Sequence, residues 1–289
     1  MMTEVQLKND EDIETAVFIE AIKLKYGYNF SEYSRDHIKR RIQNRLVKSD
    51  CNNIMELAHR VIKDESLFEE ILSDFSITVT EMFRDPAFFK YLRNEIVPVL
   101  ESYPQIKIWH AGCSSGEEAY SMAIILKEAG LYDRCQIYAT DFNRCVLSKA
   151  KAGIYDLESI KTYTHNYNLS GGIYSFSDYY IAKYKHAILD SDLKRHIVFA
   201  EHNLVTDGSF GEMNLIMCRN VLIYFEKSLQ NKVNHLFVNS LLKGGYLFLG
   251  SKETLAHSAV ENHFETVSEA FKVYRHHGQI IMGNGEKSC

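Results

Sequence analysis

Ile106-Lys107-Ile108-Trp109-His110-Ala111-Gly112-Cys113-Ser114-Ser115-Gly116-Glu117-Glu118 reads as a short strand, a tight glycine turn and the opening of a helix that continues to about Leu126. Ile106 and Ile108 alternate with Lys107, and Trp109 extends the apolar run. Gly112 and Gly116 bracket small residues, so the backbone can turn sharply and a ligand can lie against it. Beyond the turn, Ala119, Met122, Ala123 and Leu126 recur at helical spacing. A strand, a small-residue turn and a helix in that order form the nucleotide-binding end of a doubly wound α/β sheet.

Downstream the same alternation continues. Gln136–Asp141 reads as a second strand ending in an acid, about 25 residues beyond Gly116, and Val146–Ala152 as a helix closed by Gly153. Asn214–Cys218 is a further buried strand with Arg219-Asn220 at its carboxyl end. A helix from about Lys227 to Leu242 leads through Gly244-Gly245 to the strand Tyr246–Leu249, and Phe264–Val267 and Phe271–Tyr274 close the sheet. Between them, an aromatic-rich region over about residues 163–196 fits short antiparallel strands inserted into the α/β domain. Upstream, residues 1–76 read as helices only. Ile13, Val17, Ala21 and Ile22 mark the first, ended near Gly27. Ile38, Ile42 and Leu46 mark the second, and Ile54–Ile62 and Leu67–Phe75 two more. Residues 77–86 are a linker broken by Asp85-Pro86. The α/β domain then spans residues 87–289, its first helix carrying Phe88, Phe89, Leu92 and Ile96 and ending before Pro98.

With 289 residues, a net charge of −5 and charged residues at 25 %, the chain has ample core and no global bias toward nucleic acid. It has no run of about 18 apolar residues, so no membrane insertion is expected. The N-terminus lacks a secretory pattern, which points to the cytoplasm. The six cysteines (51, 113, 135, 145, 218 and 289) are scattered through apparent core elements without a C-x-x-C pair and read as free thiols. The twelve histidines show no metal-ligand spacing, so no metal is expected. Between Arg35 and Lys48, the cations Lys39, Arg40, Arg41 and Arg45 face the single acid Asp36. This is either a solvated helix face or a docking surface for an acidic partner, with Arg40, Arg41 and Arg45 as its candidates.

The turn itself narrows the cofactor. A dinucleotide site wants G-x-G-x-x-G, and Ser114 stands where the second glycine would be. A P-loop wants G-K-[ST] after the turn, and Glu117 follows Gly116. Two acids opening the helix repel phosphate and suit a cationic ligand. S-adenosylmethionine is such a ligand, with an ammonium group that Glu117 could hold and ribose hydroxyls for Asp141. Charge compensation at the helix N-terminus also accounts for Glu117. On these residues a methyltransferase leads, with a hydrolase lacking any G-x-S-x-G elbow and a binding-only domain as the alternatives.

Four segments carry a family resemblance: Thr78-Val79-Thr80-Glu81-Met82-Phe83-Arg84-Asp85-Pro86, Ala111-Gly112-Cys113-Ser114-Ser115-Gly116-Glu117-Glu118-Ala119-Tyr120-Ser121, Ala139-Thr140-Asp141, and Cys218-Arg219-Asn220-Val221-Leu222-Ile223-Tyr224-Phe225. In this order the chain resembles the chemotaxis-receptor glutamate methyltransferases, the CheR family, over nearly its whole length. Thr78 stands where the family often has Asn, and Ala119 where Pro is usual. The resemblance implies a Rossmann-like S-adenosylmethionine-dependent domain with a small β insert, behind an all-helical N-terminal domain. It implies that Thr78, Thr80, Arg84, Gly112, Glu117, Asp141, Asn203, Leu204, Arg219 and Asn220 line the cofactor site. The implied reaction converts receptor glutamates to methyl esters, leaving S-adenosylhomocysteine, for sensory adaptation. The implied partners are the cytoplasmic helical region of chemotaxis receptors and, in some members, a receptor C-terminal peptide at the β insert. A monomer that binds no nucleic acid is expected. Tyr224 is a candidate for orienting the attacking carboxylate, or else one aromatic of a packed Ile223-Tyr224-Phe225 run. Methylation of another protein or a small molecule, or cofactor binding without catalysis, are the alternative functions.

Overall fold

The computed structural model describes residues 9–76 and 80–278; Thr78 and Cys289 lie outside the described residues. Contacts divide the chain into two units, one of residues 1–77 with Tyr224–Gln230 and one of residues 78–223 with 231–289.

In the first unit, helix α1 (Asp10–Tyr26) begins where the Asn9 side chain accepts the Asp12 N–H at 2.8 Å, and it stops at Gly27 in the left-handed conformation. Helix α2 (Arg35–Lys48) follows, then α3 (Ile54–Lys63) capped by Asn53 and α4 (Glu65–Phe75) capped by Asp64. Each helix buries one stripe: Phe18 and Ile22, Ile38 and Ile42, Leu57 and Val61, Phe68 and Ile71. Burial of each such side chain stabilises the unit by about 1.5–3 kcal/mol. Tyr26 stacks on Phe68 with ring centroids 3.8 Å apart.

The second unit opens with α5 (Pro86–Tyr91), which passes through a π-helical turn at Leu92–Ile96 into α6 (Val97–Leu100). The expected stop before Pro98 is therefore corrected. In a regular helix the Pro98 ring would meet the Asn94 carbonyl; the wide turn relieves this, and Val97 N–H reaches back to the Leu92 carbonyl. Next come β1 (Ile106–Ala111), α7 (Glu117–Glu128), β2 (Cys135–Asp141) and α8 (Arg144–Ala152). A small excursion follows, made of β3 (Ile154–Asp156), α9 (Leu157–Leu169), β4 (Tyr180–Lys183) and β5 (His186–Leu189). The chain returns with β6 (Ile197–Glu201), β7 (Met213–Cys218), α10 (Lys227–Ser240), β8 (Leu241–Leu249), β9 (Phe264–Ser268) and β10 (Val273–His276).

The main sheet has the order β6-β2-β1-β7-β8-β10-β9. Its first five strands are parallel and β10 runs antiparallel to both neighbours. All six residues of β7 are buried, as a strand covered on both faces requires. From β1 the chain goes to β2 on one side and later returns to β7 on the other. The carboxyl end of β1 is thus the switch point where such sheets hold ligands.

The excursion forms a three-stranded antiparallel sheet, β3-β5-β4. It starts at Ile154, earlier than expected, and Tyr163 and Tyr167 lie on a helix rather than on strands. Aromatic content favours strands, but these two tyrosines are four apart and share the buried face of α9. Strand β8 also starts before the expected Tyr246 and runs through Gly244-Gly245. A Cβ at Gly245 would lie 3.0 Å from the Met213 carbonyl, where the β7–β8 register shifts. Cys51, Cys113, Cys135 and Cys218 are buried free thiols, whereas Cys145, expected in a core element, is exposed on the first turn of α8. Among the described residues no helix is long and apolar enough to cross a membrane. Among the described residues no group of His, Cys, Asp and Glu could hold a metal.

Candidate functional site

At the carboxyl end of β1 the chain turns through Gly112 and Gly116, both at positive φ. The turn is pinned from several sides. Gly112 and Cys113 donate their N–H groups to the Thr140 carbonyl at 2.9 and 2.8 Å, and Tyr155 Oη donates to the Ser115 carbonyl at 2.7 Å. Gly112 is fixed by space as well as by angle, because a Cβ there would lie 2.6 Å from Val221 Cγ2. The 219–221 segment therefore rests directly on the turn.

Glu117, the first residue of α7, is 4 % exposed. Ser115 Oγ donates to its two carboxylate oxygens at 2.9 and 2.8 Å, and Tyr163 Oη donates at 3.4 Å. Among the described residues it forms no ion pair. Burial, only partly offset by these hydrogen bonds, raises its pKa to about 7. Glu118 beside it behaves oppositely. Burial would push its pKa up, but His110 Nδ1 at 3.0 Å and Arg219 Nη1 at 3.2 Å more than offset this and leave it lowered.

Asp141 ends β2 and is also buried. Its carboxylate accepts the Ser114 N–H at 2.9 Å and the Asn143 N–H at 3.0 Å, which ties it to the glycine turn; burial nevertheless raises its pKa. The Asp141 carbonyl accepts the His202 N–H at 3.2 Å, which brings the next two residues to the same end of the sheet. Asn203 there caps Val205 N–H at 2.9 Å, and Leu204 is buried. Asn220, at φ 62°, donates its N–H to Glu253 Oε2 at 3.0 Å.

Several of these roles lie outside what the sequence suggested. Glu253 is 4 % exposed and accepts the N–H groups of Gly250, Asn220, Val221 and Ile223, so one carboxylate shapes the whole 219–223 loop. Ser115 and Tyr163 were likewise unforeseen as partners of Glu117. Only the small hydroxyl in the turn, two residues before Glu117, carried a local signal.

The remaining candidates are distributed as follows. Thr80 and Arg84 are half-buried in the segment leading to α5, and Thr78 lies outside the described residues. The Arg219 side chain is buried, and Asp85 Oδ2 and Glu118 Oε2 take its two terminal nitrogens. Tyr224 belongs to the first unit, where its carbonyl accepts the Ser34 N–H at 2.8 Å and its ring meets His37 edge-on at 5.0 Å. Arg40 is exposed and Arg41 half-buried. Arg45 is not a surface charge. It is 7 % exposed and clamps α2 to α4 through Glu70 and Asp74, which removes it from the expected docking set.

The site suits a ligand with a cationic end. A buried carboxylate that forms no ion pair among the described residues stands at Glu117, a second carboxylate stands a strand away at Asp141, and a phosphate would meet the charge of both. Residues 13–76 match the CheR methyltransferase all-alpha domain, and residues 78–273 match the CheR methyltransferase SAM-binding domain. The chain belongs to the CheR methyltransferases. It is 48 % identical to the methyltransferase Cher3 of Pseudomonas putida over 93 % of this chain and 98 % of that protein. It is 30 % identical to a chemotaxis protein methyltransferase of Listeria innocua, over 84 % of this chain and 90 % of that one. With chemotaxis protein methyltransferase 1 of Vibrio cholerae it shares 29 % identity, over 92 % and 96 %. The cofactor of this CheR methyltransferase is S-adenosylmethionine, and its chemistry is methyl transfer.

Proposed function

We propose that this CheR methyltransferase esterifies glutamate side chains on the cytoplasmic helical region of chemotaxis receptors, leaving S-adenosylhomocysteine. The observation that carries the reading is chain-long similarity to chemotaxis protein methyltransferases, which spans both matched domains. When bound, the cofactor supplies a methyl group on a sulfonium, which a carboxylate oxygen can displace from sulfur.

The chain's own residues then have three tasks. Glu117 holds the ammonium and Asp141 the ribose hydroxyls, while Gly112, Asn203, Leu204 and the Arg219-Asn220 backbone wall the site. Thr80 and Arg84 contribute from the segment before α5. Tyr224 orients the acceptor. A glutamate acceptor has a pKa near 4.3 and is ionised at neutral pH, so no side chain has to remove a proton. The work is alignment and exclusion of water, because neutralising two opposite charges is favoured away from solvent. Arg40 and Arg41 face the acidic receptor surface. Edge strand β4, with Ile181 71 % exposed and Tyr184 in the turn just beyond it 90 % exposed, suits a receptor C-terminal peptide added as a further strand. The protein acts as a cytoplasmic monomer.

The test is transfer of labelled methyl from S-adenosylmethionine to purified receptor cytoplasmic fragments. Label released as methanol by mild base supports the glutamyl ester. Base-stable label, or label only on other acceptors, defeats the reading.

A further inference from the structure

Two residues in the segment before α5 hold a backbone conformation that side chains disfavour: Phe83 at φ 54° and Asp85 at φ 62°. Such angles cost on the order of 1 kcal/mol or more each and persist only where the surroundings enforce them. Here the enforcement is visible. Phe83 is fully buried against Phe89 and Tyr167, and its N–H donates to Ser121 Oγ at 2.9 Å. Asp85 is held at the other end by Arg219, whose Nη2 lies 2.6 Å from Asp85 Oδ2. Arg84, between the two, has its carbonyl 3.4 Å from Arg219 Nη1.

Arg219 is itself anchored. Its guanidinium lies over the Phe88 ring at 4.1 Å, and its Nη1 donates to Glu118 Oε2 at 3.2 Å. Glu118 is held in turn by His110 Nδ1, on a side chain that is fully buried in β1. The chain His110–Glu118–Arg219–Asp85 thus runs from the sheet, through the first turn of α7 and the end of β7, to the strained segment.

We propose that Arg219 is a positioning residue: braced by Glu118 and His110, it clamps the Phe83–Asp85 turn so that the Arg84 side chain is held ready for the cofactor. This assigns the Arg219 side chain a task different from lining the site, which its backbone performs. It also separates the paired acids, with Glu118 serving the clamp and Glu117 serving the ligand. An arginine suits the role because its planar fork meets two carboxylates and a ring face at once, which a lysine ammonium does not.

The inference rests on the assignment of Arg84 to the cofactor side, so two readouts are used. The first needs no cofactor: amide hydrogen exchange of the apo chain, comparing the parent with Asp85→Asn and Glu118→Gln. Asp85 is half exposed, so its variant tests the clamp without threatening the fold. Exchange at residues 80–85 is expected to quicken by about tenfold or more, with the strands of the main sheet unchanged. Unchanged exchange in that segment overturns the clamp. The second readout is S-adenosylhomocysteine affinity by calorimetry in a double-mutant cycle. Asp85→Asn weakens binding about tenfold in the parent and has no further effect in Arg84→Ala. Equal effects in both backgrounds overturn action through Arg84, and parent-like exchange at residues 80–85 in Arg219→Lys overturns the need for the guanidinium fork.

Discussion

Glu117 sits between the hydroxyls of Ser115 and Tyr163, buried and without an ion pair among the described residues, and its pKa is raised to about 7. In the apo chain the protonated form is therefore favoured below about pH 7. Its contribution to stability is fully present below the ordinary value of 4.5 and is lost as the pH rises through about 7. A bound ammonium reverses the preference, so binding below pH 7 expels a proton. Affinity for S-adenosylhomocysteine is predicted to rise by about tenfold per pH unit up to about pH 7 and then level off. Glu117→Gln should bind weakly and without that slope. A parent profile that is flat across the range by calorimetry contradicts the ammonium assignment. The sequence placed this acid at the start of α7, as observed, because helix starts are local signals. It could not say which of two adjacent acids was free, since that depends on Arg219, 101 residues further on.

The glycine turn between β1 and α7 is where angle, space and ligand access coincide. At Gly112 a Cβ would meet Val221 at 2.6 Å in a conformation that side chains rarely adopt. Gly112→Ala should lower unfolding stability by about 1–3 kcal/mol in urea titration and displace the 219–221 segment, with loss of cofactor affinity. Parent-like stability and affinity would mean that neither constraint operates. The order of the main elements was legible, because the strands are short apolar runs and the caps at Asn9, Gly27 and Gly153 are encoded within a turn of the ends they close. Two elements misled. Pro98 looked like a terminator and is absorbed by a π-turn, and the tyrosines of α9 looked like strand residues until their four-residue spacing was placed on a buried face. Glu253 had no local signature at all, since the loop that it shapes lies 30 to 33 residues away.

At the scale of the whole molecule, the basic second helix divides into two kinds of arginine. Arg45 is buried against Glu70 and Asp74, and Arg45→Ala is predicted to destabilise the helical unit by about 3 kcal/mol by leaving Asp74 poorly compensated. Thermal unfolding at parent temperature would contradict that role. Arg40 and Arg41 are the positions left for a partner. Reversing both to Glu should slow receptor methylation several-fold at low ionic strength, with cofactor affinity and melting unchanged. Methylation at the parent rate would make the helix a solvated face. The sequence showed the charge but not its partners, because the carboxylates that claim Arg45 lie 25 and 29 residues away on another helix. The central claim is that the methyl acceptor is a receptor glutamate, and peptide mass spectrometry of a receptor cytoplasmic fragment after incubation with the protein and S-adenosylmethionine tests it most directly. The account predicts one added methylene on defined glutamates, erased by mild base and absent when those glutamates are changed to alanine. An unmodified fragment, or a methyl group on another residue type that survives base, would contradict it.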